Sequence, residues 1–165
     1  MNSSKQIGAR GTVLVVDDEP AVLLLIDAIL TAADYRVLLA GSGKDAIRLA
    51  EQKHVHIDVA LLDVRMPGVR PAEMAGDIQS LRPNIPIVFM SGFVDDEIVR
   101  IQIMEYDGFL AKPFRAGSLL QVLRDSMEKA ACDGGVPGYR APPAWPPTAP
   151  LHGPPLAVNP AWQTT

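Results

Sequence analysis

The sequence predicts an α/β fold: a five-stranded parallel sheet, strand order 2-1-3-4-5, doubly wound by five helices. Three observations predict it. Apolar runs such as Thr12–Val16, Val59–Leu62 and Ile85–Met90 are continuous rather than alternating, the habit of strands covered on both faces. Segments with helical periodicity separate the runs, and right-handed crossovers then leave few topologies. Finally, each of four runs delivers a polar group at its carboxyl end: Asp17 and Asp18, then Asp63, Ser91 and Lys112. In open α/β sheets that edge is where ligands bind.

Taken in order, Thr12–Val16 is the first strand, and Pro20 suits the first turn of the helix that follows. On that helix Val22, Ile26, Ile29 and Ala33 share one face. Arg36–Ala40 supplies the second strand, and a helix runs from about Gly43 to Gln52. Val59–Asp63 is the third strand, and Met74, Ile78 and Leu81 mark a helix closed before Pro83. After the fourth strand, Ile85–Met90, Asp95 and Asp96 are placed to cap a helix bearing Ile98, Ile101 and Met104. Gly108–Ala111 is the last strand, and Leu119, Leu123 and Met127 form the stripe of a final helix starting near Ala116 or Ser118.

The 165 residues leave room for one ordinary domain and a tail. Three parts are predicted: a disordered amino terminus over 1–10, a folded domain over 11–131 and a Pro-rich disordered tail over 132–165. From Asp133 onward nine of the 15 prolines occur, and only Asp133 and Arg140 carry full charges. Proline removes backbone donors and favours extended chain, so neither helix nor sheet is expected there. Trp145 and Trp162 both lie in the tail. They read as incidental aromatics, with docking of proline-flanked Trp145 into a groove as the sharper alternative.

A net charge of −4, with no lysine/arginine run, argues against nucleic acid as a partner. One cysteine, Cys132, excludes an internal disulfide framework. The segment Met1–Gln6 lacks the apolar core of a signal peptide, and Val22–Ala33, carrying Asp27, is too short to span a bilayer. A cytoplasmic protein is expected.

The chain from 11 to 131 resembles the receiver domains of bacterial two-component response regulators, with the flavodoxin-like layout of the single-domain chemotaxis regulator. The pieces that carry the resemblance are Val15-Val-Asp-Asp-Glu-Pro20, Leu61-Leu-Asp-Val-Arg-Met-Pro-Gly68, Phe89-Met-Ser-Gly92 and Leu110-Ala-Lys-Pro-Phe114. Each alone is common; all four, in order and on the right strand ends, are specific. The resemblance implies that Asp63 accepts a phosphoryl group from a histidine kinase or histidine phosphotransfer protein, as a carboxylate nucleophile. It implies that Asp17, Asp18, Asp63 and the backbone carbonyl of Arg65 hold Mg2+, a cation that prefers a few carboxylates plus water and phosphate oxygens. Ser91 and Lys112 are implied to contact the phosphoryl oxygens, where positioning and charge stabilisation do most of the catalysis. A cis Lys112–Pro113 bond is implied too, and a switch in which Ser91 moves toward the phosphate while Phe109 swings inward.

Two departures from the family pattern stand out. Phe109 occupies a place where tyrosine is common, so its rotation is coupled by packing without a hydroxyl. The loop Val69-Arg-Pro71 replaces the usual glycine-containing turn. The expected output surface is the helix after Ser91, the last strand and the last helix, biased between two states by phosphorylation. An unidentified downstream protein is the expected partner, a homodimer through that surface is left open, and no enzymatic activity beyond autophosphatase is expected.

Other readings rank lower. Phe89-Met-Ser-Gly-Phe93 also looks like receivers of hybrid sensor kinases. A magnesium-dependent phosphatase or phosphotransferase is disfavoured because Asp63-Val64-Arg65 lacks the second aspartate usual on the nucleophile strand of aspartate hydrolases. A vestigial binding module need not retain Asp17, Asp18, Asp63, Ser91 and Lys112 together. Gly41-Ser-Gly-Lys44 fails as a phosphate loop, since Asp45 stands where Ser or Thr is required. His54, His56 and His152 form no ligand set.

Overall fold

The structure, a computed structural model, describes residues 10–92 and 106–132. Its elements are β1 (Thr12–Val16), α1 (Pro20–Ala32), β2 (Arg36–Ala40), α2 (Gly43–Ala50), β3 (Val59–Asp63), α3 (Pro71–Leu81), β4 (Ile87–Ser91), β5 (Gly108–Ala111) and α4 (Ala116–Cys132). The strands form one parallel sheet in the order β2-β1-β3-β4-β5. The expected strand order is therefore met, with four helices among the described residues. The helix expected over 95–104 and the tail lie outside them.

β1, β3 and β4 are buried along their whole length, as their unbroken apolar runs require. One apolar cluster joins Leu14, Leu62 and Phe89 to α2 and α3 through Ala46, Met74 and Ile78. On the opposite sheet face Val15, Leu61 and Met90 pack against Ile26 and Leu30 of α1 and Leu119 and Leu123 of α4. Alternate residues of each strand thus point into separate layers.

Several local expectations shift for identifiable reasons. β4 begins at Ile87 rather than Ile85: Pro86 has no amide to give, and the Ile87 amide donates to the Asp107 carboxylate at 3.0 Å. The inner face of α1 is centred on Ile26 and Leu30, flanked by Val22, Leu23, Ile29 and Ala33. Every position but Asp27 and Thr31 from Ala21 to Ala33 is apolar, so periodicity points there only weakly. On α4 the stripe of Leu119, Leu123 and half-buried Met127 packs on the sheet as expected, and Ser126 joins it as a fully buried polar residue. Gly108 lies opposite, and a Cβ there would stand 2.9 Å from Ser126 Oγ. The loop before α3 obtains its left-handed residue from Gly68 (φ +71°), and the Val69 amide closes the turn on the Met66 carbonyl at 3.2 Å. Pro71 then opens α3.

The amino edge of the sheet is closed by side chains bonded to backbone. Asp58 accepts the Thr12 amide at 2.7 Å, tying the residue before β3 to the start of β1. Arg82, just past α3, donates to the Ala50 and Gln52 carbonyls at the end of α2, at 2.8 and 2.6 Å. Lys53, just past α2, donates to the Leu81 carbonyl at the end of α3. Each helix end therefore caps the other, satisfying carbonyls that have no partner within their own helix.

Candidate functional site: an acidic pocket at the carboxyl edge

Three parallel strands deliver the site. β1 runs out into Asp17, β3 ends on Asp63, and the residue after β5 is Lys112. Asp17 and Asp63 are 1% and 4% exposed. Each spends one carboxylate oxygen on the turn it begins: Asp17 Oδ1 accepts the Glu19 amide and Asp63 Oδ2 the Arg65 amide, both at 2.9 Å. The remaining oxygens meet one cation. Lys112 Nζ lies 2.6 Å from Asp17 Oδ2 and 2.8 Å from Asp63 Oδ1.

That bridge compensates two buried carboxylates, which would otherwise be costly to bury. Partial burial pulls the Lys112 ammonium's pKa down, but the hydrogen bonds and charges of Asp17 and Asp63 outweigh it, and the net shift is upward. The group's contribution to stability is thus complete below the ordinary lysine range and is lost only as pH climbs through the raised value. Lys112 is a cation at every physiological pH.

Asp18, exposed, completes an acid cluster: one oxygen from each of Asp17, Asp18 and Asp63 lies within 4.8 Å of the others. Three negative charges face the single positive charge of Lys112, leaving an excess of two. A small divalent cation with oxygen ligands matches that excess and that donor set. Among the described residues no other group of three acidic, histidine or cysteine side chains has this spacing.

The other predicted residues fall around this cluster. Ser91 ends β4, is 3% exposed, and accepts the Lys112 amide on its carbonyl at 2.7 Å. Pairing of Asp63 with Met90 and of Ser91 with Ala111 keeps the three strand ends level. The Lys112–Pro113 bond is cis. Arg65 sits beside the pocket, its backbone amide donating a hydrogen bond to the Asp63 carboxylate. Phe109, in the middle of β5, is 38% exposed. Phe93 lies outside the described residues. The direct bonding of Lys112 to Asp17 was not legible in the sequence; convergence of charged strand ends was.

A parallel doubly wound sheet carrying an acid cluster and a lysine at its carboxyl edge defines a well-populated class of domain, and comparison with known proteins narrows it. The family model for the response regulator receiver domain matches residues 13–124. The chain belongs to this family, whose members act in two-component signalling. It is 30% identical over 120 residues to the transcriptional regulatory protein GlrR of Escherichia coli, covering 72% of this chain and 26% of that protein. It is 28% identical over 130 residues to the sensor kinase CckA of Brucella abortus, covering 78% of this chain and 14% of that one. The chain thus spans a small part of both relatives. A receiver domain protein of Clostridium thermocellum shares the fold with a TM-score of 0.67 at 24% identity, covering 74% of this chain and 98% of that one.

Receiver domains are phosphoacceptor signalling domains, in general not enzymes. They interact with histidine kinases or phosphotransfer proteins and bind Mg2+ at an acidic pocket. No helix among the described residues is long and apolar enough to cross a membrane.

Proposed function

We propose that this chain is a phosphoacceptor in which Asp63 takes a phosphoryl group from a phosphohistidine on a kinase or phosphotransfer protein. The observation that carries the reading is the buried bridge of Lys112 between Asp17 and Asp63. A carboxylate oxygen of Asp63 attacks phosphorus, the P–N bond to imidazole breaks, and an acyl phosphate forms. Because one Asp63 oxygen is anchored by the Arg65 amide, its carboxylate is already oriented. Lys112 leaves one of its two carboxylates to follow the phosphoryl oxygens, where charge is concentrated on transfer. Ser91, one residue beyond Asp63's partner in the sheet, supplies a hydroxyl to the same oxygens.

Magnesium held by Asp17, Asp18, Asp63 and the Arg65 carbonyl would neutralise the excess negative charge and fix the phosphoryl oxygens during transfer. Ser91 and Phe109 carry the change to the surface of β5 and α4, where a downstream protein or a second copy binds in the cytoplasm. The domain spans 11–131. A stand-alone regulator is the first reading. The likeness to CckA favours, as a second, the receiver of a hybrid kinase.

Incubation with acetyl phosphate and magnesium, followed by intact-protein mass, tests the chemistry. One phosphoryl adduct that requires magnesium and is absent from Asp63→Asn is expected. No adduct, together with no magnesium binding, would overturn the reading.

A further inference from the structure

Helix α1 is apolar on both sides, and among the described residues only its inner side packs on another element. Its inner side packs on the sheet through Ile26 and Leu30. The outer side presents Ala21, Leu24, Leu25, Ala28 and Ala32 without a charge among them. Leu24 is 66% and Leu25 54% exposed, the highest values among the exposed large apolar side chains of the described residues. Adjacent leucines on one helix face make a patch rather than scattered exposures.

We propose that the segment following Cys132 folds back and seats Trp145 and its flanking prolines on this outer face of α1. Position is the first argument. α1 and α4 share one apolar cluster on the same sheet face, and both run opposite to the strands. α4 therefore ends at the amino edge of the sheet, as does α1, whose following Asp34 carbonyl accepts the Arg10 amide. Reach is the second. At about 3.1 Å per residue, the 13 residues from Cys132 to Trp145 extend roughly 40 Å, while α1 is about 20 Å long.

Chemistry is the third argument. Residues 133–165 contain both tryptophans, nine prolines and only two formal charges, matching an uncharged aliphatic face. Polyproline chain is already extended, so ordering it on a surface costs less entropy than ordering a flexible segment. Size argues against a second copy as the occupant. A face of two leucines and three alanines offers on the order of 300 Å2, against roughly 800 Å2 per partner in a stable complex. A tethered segment needs far less, because its effective concentration is on the order of millimolar.

One consequence rests on the phosphoacceptor reading. Leu24 stands one turn from Pro20, beside the acid pocket, so a protein donor must displace the seated segment whereas acetyl phosphate need not. The proposal itself is tested without phosphorylation. Both tryptophans lie in the tail, so emission reports on the tail alone. Acrylamide quenching of the full-length chain, with Trp162→Phe to isolate Trp145, is compared between wild-type α1 and the Leu24→Gln/Leu25→Gln variant. Ala28→Lys, which puts a charge in the same face, serves as a second variant, and circular dichroism checks folding. The expected result is quenching lower by about twofold or more in the wild-type background, independent of protein concentration, and lost in both variants. Equal quenching in all three proteins overturns the proposal. So does protection that survives both variants, which places the tryptophan elsewhere, or protection that grows with protein concentration, which makes a second copy the occupant.

Discussion

At the amino edge of the sheet, Asp58 and Asp107 accept strand amides, and Lys53 and Arg82 donate to helix carbonyls. At the carboxyl edge, Lys112 instead bonds two carboxylates that share it. The same residue types thus serve opposite ends. A charge bonded to backbone has a partner that cannot leave, so it closes structure. A charge bonded to another side chain can exchange that partner for a ligand. Asp17 and Asp63 combine both modes, with one oxygen on a backbone amide and one on the lysine. They are held in place and still available.

The largest expected effect comes from removing the exchangeable cation. Lys112→Ala should slow adduct formation from acetyl phosphate about 100-fold or more, by loss of a preorganised charge. Without magnesium it should also cost about 3 kcal/mol in urea unfolding, since two buried carboxylates lose their counter-charge. Millimolar magnesium should narrow that stability gap; a gap unchanged by metal would show that the lysine is merely structural.

Arg82→Ala should cost about 2 kcal/mol by stripping two charged hydrogen bonds from the end of α2. Its rate of adduct formation should match wild type, and a slowed rate would break the division between the two edges. Asp17→Asn sharpens the contrast by reversing sign. In metal-free buffer it should stabilise the fold by about 1 kcal/mol, because one charge of a like-charged cluster disappears. The same variant should weaken magnesium binding, measured by calorimetry.

The smallest effect concerns the cap of α2, where Ser42 Oγ accepts the Asp45 amide and donates to the Asp45 carboxylate. Ser42→Ala should cost about 1 kcal/mol at neutral pH. Hydrogen bonds from Ser42 and then Arg48 lower the Asp45 pKa. Their contribution is present above the ordinary carboxylate range and fades as pH falls through the lowered value. The difference between variant and wild type should accordingly narrow in acid, as thermal melts across pH would record.

The carboxyl edge was legible in the sequence because strand-end position is encoded locally: a continuous apolar run followed by Asp17, Asp63, Ser91 or Lys112 places each group without knowledge of the rest. The amino edge was not. The exchange of caps between Lys53 and Arg82 depends on how α2 and α3 lie side by side, and nothing near either residue encodes that. A basic residue just past each helix was the available signal, and a weak one. α1 shows a different failure. Where nearly every position is apolar, periodicity cannot separate Ile26 and Leu30, which are buried, from Leu24 and Leu25, which are not. Ser126 was missed because its burial depends on Gly108, 18 positions away, having no side chain.

The crossed caps at Lys53 and Arg82 also have a mechanical meaning. They clamp two neighbouring helices at the end farthest from the acid cluster, as a spine binds pages. Displacement that begins at the carboxyl edge meets a pivot at the opposite one, where these helices are constrained to stay together.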